Sequence, residues 1–130
     1  MRFFLRLLLL LCLVPTTAAR AEWLRAESPN FIVLSEGSES RLRARVEELE
    51  NFDALLRVML GVGDAPPANR LHLYIVSGHN DLESIQPVGQ YVDGFYMATA
   101  YGVAAFADGR SEANGNSLLL HEYAHHFMVQ

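Results

Sequence analysis

Lysine is absent from this 130-residue chain; all ten of its basic residues are arginine. We read that absence as genome composition and draw no function from it. Cysteine is nearly absent too. The one copy, Cys12, lies inside the apolar run Leu7 to Val14. No apolar run approaches the roughly 20 residues that a membrane-spanning helix needs. What the start does contain is Arg2 and Arg6, then Leu7 to Val14, a break at Pro15, and small residues at Ala19 and Ala21 around Arg20. This is the pattern of a secretory signal peptide, with cleavage expected before Glu22. Residues 1–21 are therefore expected to be removed, and residues 22–130 to be exported, periplasmic or secreted. Loss of Cys12 leaves no internal disulfide, even in an oxidising compartment.

Positive charge is scarce in what remains. Without Arg2, Arg6 and Arg20, seven arginines face 15 acidic residues, a net charge of −8 with histidine neutral. That balance argues against nucleic acid as a partner, because such binding is driven by basic surface. It also argues against anionic membrane surfaces, and no stable membrane insertion is expected after cleavage. Half of the chain is apolar (51%), which places it among globular domains and not disordered ones. Internal repeats, low-complexity tracts and domain linkers are all missing, so one small domain is expected.

The run Asn30 to Ser35 after Pro29 is rich in β-formers and reads as a strand. Leu42, Val46, Leu49, Phe52, Leu55, Leu56 and Met59 then recur at spacings of three and four. With charged residues between them, this predicts an amphipathic helix of about six turns that opens near Ser38 and closes at Gly61. Pro66-Pro67 marks a loop. Arg70 to Val76 reads as a second strand, with Leu71, Leu73 and Ile75 on one face and His72 and Tyr74 on the other. Asn80 is a candidate cap for a short helix ending at Ile85. Gly94 to Ala98 and Gly102 to Phe106 read as a hairpin. Asp108 to Asn116 reads as a loop, with Asn116 or Ser117 capping a last helix. The predicted class is α+β: a small twisted mixed sheet packed with one long helix and the last helix.

That last helix carries His121-Glu122-Tyr123-Ala124-His125, the HExxH pattern. Residues four apart stand one above the other on a helix, so two imidazoles so placed can hold one Zn²⁺. A zinc ion bound there lowers the pKa of its water from about 16 to near 7 and polarises a carbonyl. Glu122, about 100° round the helix from His121, is placed to take the water's proton as general base and pass it to a leaving amine. Leu118-Leu119-Leu120, Tyr123-Ala124 and Phe127-Met128-Val129 make the helix apolar nearly all round. It is therefore expected to be buried, and a metal would explain the polar groups it carries. His126, rotated off the ligand face, reads as a surface or packing residue. His72 and His79 read as structural. Tyr91, Tyr96 and Tyr101 are weaker candidates for donors to an oxyanion.

Around these residues, Leu119 to Phe127, the chain resembles gluzincin-type zinc metallopeptidases, and more narrowly the secreted bacterial peptidase-MA-like proteins. Ser28 to Val33, the helix Arg41 to Leu60 and Gly94-Phe95-Tyr96 are similar to segments of that group. The resemblance implies a zincin-like upper lobe, His121 and His125 as zinc ligands, Glu122 as catalytic base, and Zn²⁺ as cofactor. In such sheets an edge strand pairs with the extended substrate, and Gly102 to Phe106 is the candidate. Gluzincins take a third ligand from a glutamate on a later helix, so residues 22–130 are expected to be the N-terminal part of such a domain, lacking that ligand. Glu112 is a weak substitute. The metzincin pattern needs glycine where this chain has Met128. The expected function is peptide-bond hydrolysis on a peptide or protein substrate. The alternatives are a non-catalytic exported domain of the same fold that binds metal weakly, and a non-peptidase hydrolase using the same two histidines.

Overall fold

A computed structural model describes residues 22–100 and 102–129, with only the backbone of residues 112–117. The expected signal peptide, Cys12 and Tyr101 lie outside the described residues. Among the described residues, five strands and three helices follow one another: β1 (Leu24–Glu27), β2 (Phe31–Ser35), α1 (Glu39–Leu60), β3 (Leu71–Val76), α2 (His79–Ile85), β4 (Gly94–Thr99), β5 (Gly102–Asp108) and α3 (Glu112–Val129). The class is α+β, as the sequence predicts.

The strands form one mixed sheet in the order β1-β2-β3-β5-β4. β2, β3 and β5 run parallel, and β1 and β4 close the two edges antiparallel. Period-two alternation puts Phe31, Val33, Leu71, Leu73, Ala105 and Ala107 on one face. There they meet Leu42 and Leu49 of α1 and Leu119 and Tyr123 of α3 in the main core. α1 lies against β1 and β2, α3 lies against β4 and β5, and the two helices touch each other. The opposite face carries a row of rings. Tyr74 stacks on Phe106 at 4.9 Å, and Phe106 on Phe95 at 5.0 Å. The short α2 contacts β3 and β5, and Leu82 and Val76 are buried outside the main core.

Local signals account for most boundaries. Ser38 caps α1 by accepting the Arg41 N–H. Gly61 ends it in the left-handed conformation, φ 65°, which glycine adopts without a Cβ penalty. Three expectations are corrected. α2 starts at His79 after Gly78, with no side-chain cap, so Asn80 does not cap it. α3 starts at Glu112, several residues before the expected cap, so the loop Asp108 to Asn116 is mostly helix. Leu55 and Met59 are exposed on the last turns of α1, whereas Asp53 is buried there. β1 is an element the sequence analysis did not contain. Its alternation of Leu24 and Ala26 with Arg25 and Glu27 is short and half charged, and it forms only as an edge partner of β2.

Asp53 is 3% exposed. Its carboxylate accepts from Tyr123 Oη, from Asn30 Nδ2 at 3.0 Å and from Arg57 Nε at 2.6 Å. Burying a charge is costly unless it is paired and hydrogen-bonded, and here it is both. Arg57 is anchored in turn on the carbonyls of Gly63 and Ala65. Burial first, and the Asp53 carboxylate second, push the Tyr123 phenol well above its ordinary 10.0. The native state thus favours the protonated phenol. This contribution is complete below about pH 10 and is lost as pH rises further. We expect Tyr123→Phe to cost about 2 kcal/mol, the worth of a hydrogen bond to a charged acceptor. It should also flatten the fall of stability above about pH 10. Urea denaturation from pH 7 to 11 measures both; equal alkaline slopes in the two proteins would refute the assignment.

Candidate functional site

α3 places the two HExxH histidines on its exposed side and Glu122 toward the protein. The Nε2 atoms of His121 and His125 lie 3.0 Å apart, and their rings meet edge to face at 4.6 Å. Two nitrogens bound to one tetrahedral zinc, at about 2.05 Å each, stand roughly 3.3 Å apart. The two nitrogens are hydrogen-bond partners of one another, at a separation close to the span one bound ion would need, and the donor set suits a borderline-soft divalent cation. Glu122 is 7% exposed. Burial raises its pKa, and the neighbouring His121 and His125 partly offset that rise.

The expectation of a uniformly buried helix is corrected. His121 and His125 are exposed; Glu122, Tyr123 and His126 are buried. α3 is covered where it meets β4, β5 and α1. His126 is a packing residue, 2% exposed, and its Nδ1 lies 3.3 Å from Tyr96 Oη. Burial lowers the His126 pKa and raises that of Tyr96. Tyr96 is thus engaged with His126, and Tyr91 is 89% exposed. His72 is exposed on β3. His79 has Nδ1 buried without a partner and Nε2 3.6 Å from Glu83.

Neither of those histidines joins the pair. No group of three or more His, Cys, Asp or Glu side chains able to hold a metal occurs among the described residues. Glu112 opens α3, nine residues before His121, so their Cα positions are about 13 Å apart along the axis.

The strand beside this helix is β4. At Gly94 an added Cβ would stand 2.6 Å from the Phe106 carbonyl and 3.0 Å from Leu118 Cδ2. The missing side chain is what lets α3 approach. Here a further expectation is corrected. Gly102 to Phe106 falls in β5, which is paired on both sides and has no free edge; β4 is the edge strand. The Asp108 N–H donates to the Asp93 carbonyl at 2.7 Å. Antiparallel pairs alternate between bonded and non-bonded, so Gly94, Tyr96 and Ala98 point their backbone N–H and C=O groups outward, away from β5. Sequence periodicity could not give this, because strand order is not encoded in a hairpin's own residues.

Comparisons with family models, with curated proteins and with solved structures give no match for this chain. No helix among the described residues is long and apolar enough to cross a membrane.

The paired imidazoles predict a metal site that can be read directly. The full chain is expected to bind about one equivalent of Zn²⁺. His121→Ala and His125→Ala should each abolish binding, and His72→Ala and His79→Ala should leave it unchanged. Metal analysis after dialysis checks this; retention of zinc by the His121→Ala protein would show that the pair is not the site.

Proposed function

We propose that this chain is an exported zinc-dependent peptidase domain of the gluzincin type, with a zincin-like fold. His121 and His125 hold the metal, Glu122 is the general base, and an extended peptide is the substrate. The observation that carries the reading is the convergence of the two Nε2 atoms at 3.0 Å on the residues that flank a buried Glu122. The metal, when bound, supplies Lewis acidity toward a carbonyl and a water that ionises near neutral pH. Glu122 would serve as the general base, accepting a proton from the attacking water and returning it to the departing amine nitrogen. Its burial suits the role, because desolvation moves a carboxylate pKa toward the pH at which a base must also release its proton.

The outward backbone groups of Gly94, Tyr96 and Ala98 suit an extended peptide chain, which would add a strand to the sheet edge and so be held without regard to its side chains. Export is supported by the arginine-flanked apolar leader and the small residues at Ala19 and Ala21.

A second reading has an observation of its own. A catalytic zinc usually has three protein ligands, and only two stand together among the described residues. This favours a non-catalytic exported domain of the same fold that binds metal through the two histidines and cleaves nothing.

Hydrolysis of an unfolded protein substrate by the zinc-loaded full chain separates the two readings. The peptidase reading expects cleavage that a chelator stops. Glu122→Gln should lower kcat by at least about a hundredfold, the scale of general-base catalysis, while zinc stoichiometry stays the same. Zinc binding with no cleavage by the wild-type chain would leave the non-catalytic reading standing. Cleavage undiminished in Glu122→Gln would remove Glu122 from the reaction.

A further inference from the structure

We propose that the open edge of β4 selects an extended peptide with an aromatic side chain directly opposite Phe95, so that Phe95 sets the substrate preference. This deepens the peptidase reading, from which the extended peptide is taken. Binding at the edge needs no cleavage, so the two can fail separately.

Three rings stand in register on the face of the sheet away from α1 and α3. Tyr74 of β3 is paired with Phe106 of β5, and Phe106 with Phe95 of β4. Their planes lie close to parallel, 12° and 25° apart, with centroids 4.9 and 5.0 Å apart. Those steps match the roughly 4.8 Å between neighbouring strands. The stack therefore advances by one ring per strand. Trp23 meets its other end, edge to face on Tyr74 at 6.5 Å. Phe106 has a ring on each side. Among the described residues, Phe95 meets another ring only on its β5 side, and β4 is the last strand of the sheet.

The backbone of β4 points the same way. The bond from the Asp108 N–H to the Asp93 carbonyl fixes the alternation. Phe95 and Met97 turn their N–H and C=O groups toward β5, and Gly94, Tyr96 and Ala98 turn theirs outward. A peptide strand added antiparallel would bond to Gly94, Tyr96 and Ala98. Its residues opposite Phe95 and Met97 would then form the non-bonded pairs, where Cα atoms are only about 4.5 Å apart and side chains come closest. A side chain opposite Phe95 shares the face of Phe95 and stands one strand further along the stack. A ring there continues the stack, and aromatic pairs gain more than their buried area alone. Phe95 and Met97 are both half-buried, so each has apolar surface left to cover. Met97, unbranched and adaptable, flanks the aromatic position without dictating a shape.

Fluorescence anisotropy with dye-labelled, acetylated octapeptides tests this, on the zinc-loaded full chain carrying Glu122→Gln so that no peptide is consumed. The peptides share a Ser-Thr background with one central Phe, Leu or Ala. The Phe peptide is expected to bind about tenfold tighter than the Ala peptide and about threefold tighter than the Leu peptide. Adding Phe95→Leu, with an unchanged circular dichroism spectrum, should equalise the Phe and Leu peptides and leave the affinity for the Ala peptide unchanged. Phe95→Tyr, which keeps the ring, should keep the preference. N-methylation of either neighbour of the central Phe should abolish binding, and N-methylation of that Phe itself should be tolerated, because its N–H points away from β4. Equal affinity for the three peptides would overturn the proposal. So would a Phe preference that survives Phe95→Leu, or no saturable binding at about 1 mM, the weak limit for such a contact. A stable dimer that excludes every peptide would give the edge to a second copy and overturn it too. A wild-type chain that shows the preference and cleaves nothing removes the peptidase reading alone; one that cleaves without the preference removes this inference alone.

Discussion

The buried carboxylate of Asp53 sets the rotation of the helix that carries the candidate site. Its three donors come from three places: Asn30 between β1 and β2, Arg57 one turn further along α1, and Tyr123 on α3. Tyr123 is the residue immediately after Glu122. Each residue turns a helix by about 100°, so fixing where the Tyr123 ring points also fixes its neighbours. With the phenol drawn inward to Asp53, Glu122 stands at the boundary of the core, and His121 and His125 face outward. The ring of Tyr123 is further clamped by Phe31 at 4.7 Å and by Phe52 at 6.3 Å, both edge to face. The hydrogen bond sets direction, and the aromatic contacts supply much of the packing.

The same economy appears at the other side of α3. Gly94 gives up a side chain so that Leu118 can approach β4, and His126, the residue immediately after the pair, meets Tyr96. The helix is thus held along the edge strand at two points, with the histidine pair between them in sequence. A strand edge that displays unpaired N–H and C=O groups is ordinarily a liability for aggregation. In this molecule that edge lies beside the helix with the candidate metal ligands, and on the proposed peptidase reading an extended peptide would pair with it.

Much of this was legible in the sequence. The 3.6-residue period of α1, its Ser38 and Gly61 boundaries, the apolar face of β3 and the β4–β5 hairpin all follow from local rules that the tertiary structure does not override. So does the pairing of His121 with His125, because residues at i and i+4 face one way in any helix. What was not legible depends on neighbours. β1 exists because β2 offers it an edge, and β5 is internal because β3 takes its free side. The burial of Asp53 needs Tyr123, 70 residues away, to make sense. The outward direction of the histidines was misjudged for a related reason. Composition shows α3 to be apolar nearly all round, but only the packing of β4, β5 and α1 decides which of its sides is covered.

Two outward histidines at helical spacing are common enough on protein surfaces to carry little meaning alone. What distinguishes this pair is the acid between them. Glu122 is 7% exposed and pays a desolvation penalty that raises its pKa, against which the neighbouring imidazoles work only in part. A surface carboxylate at that position would cost the fold nothing, and a buried apolar residue would stabilise it. A half-hidden acid next to two convergent imidazoles is a poor choice for stability and a good one for chemistry. A divalent cation at the imidazoles would favour the ionised acid, while the core at its back would keep the acid basic enough to accept a proton. The Asp53 anchor and the Gly94 contact both serve to hold that carboxylate at the boundary. This is the physical reason to read the helix as a site and not as a chance spacing of polar residues.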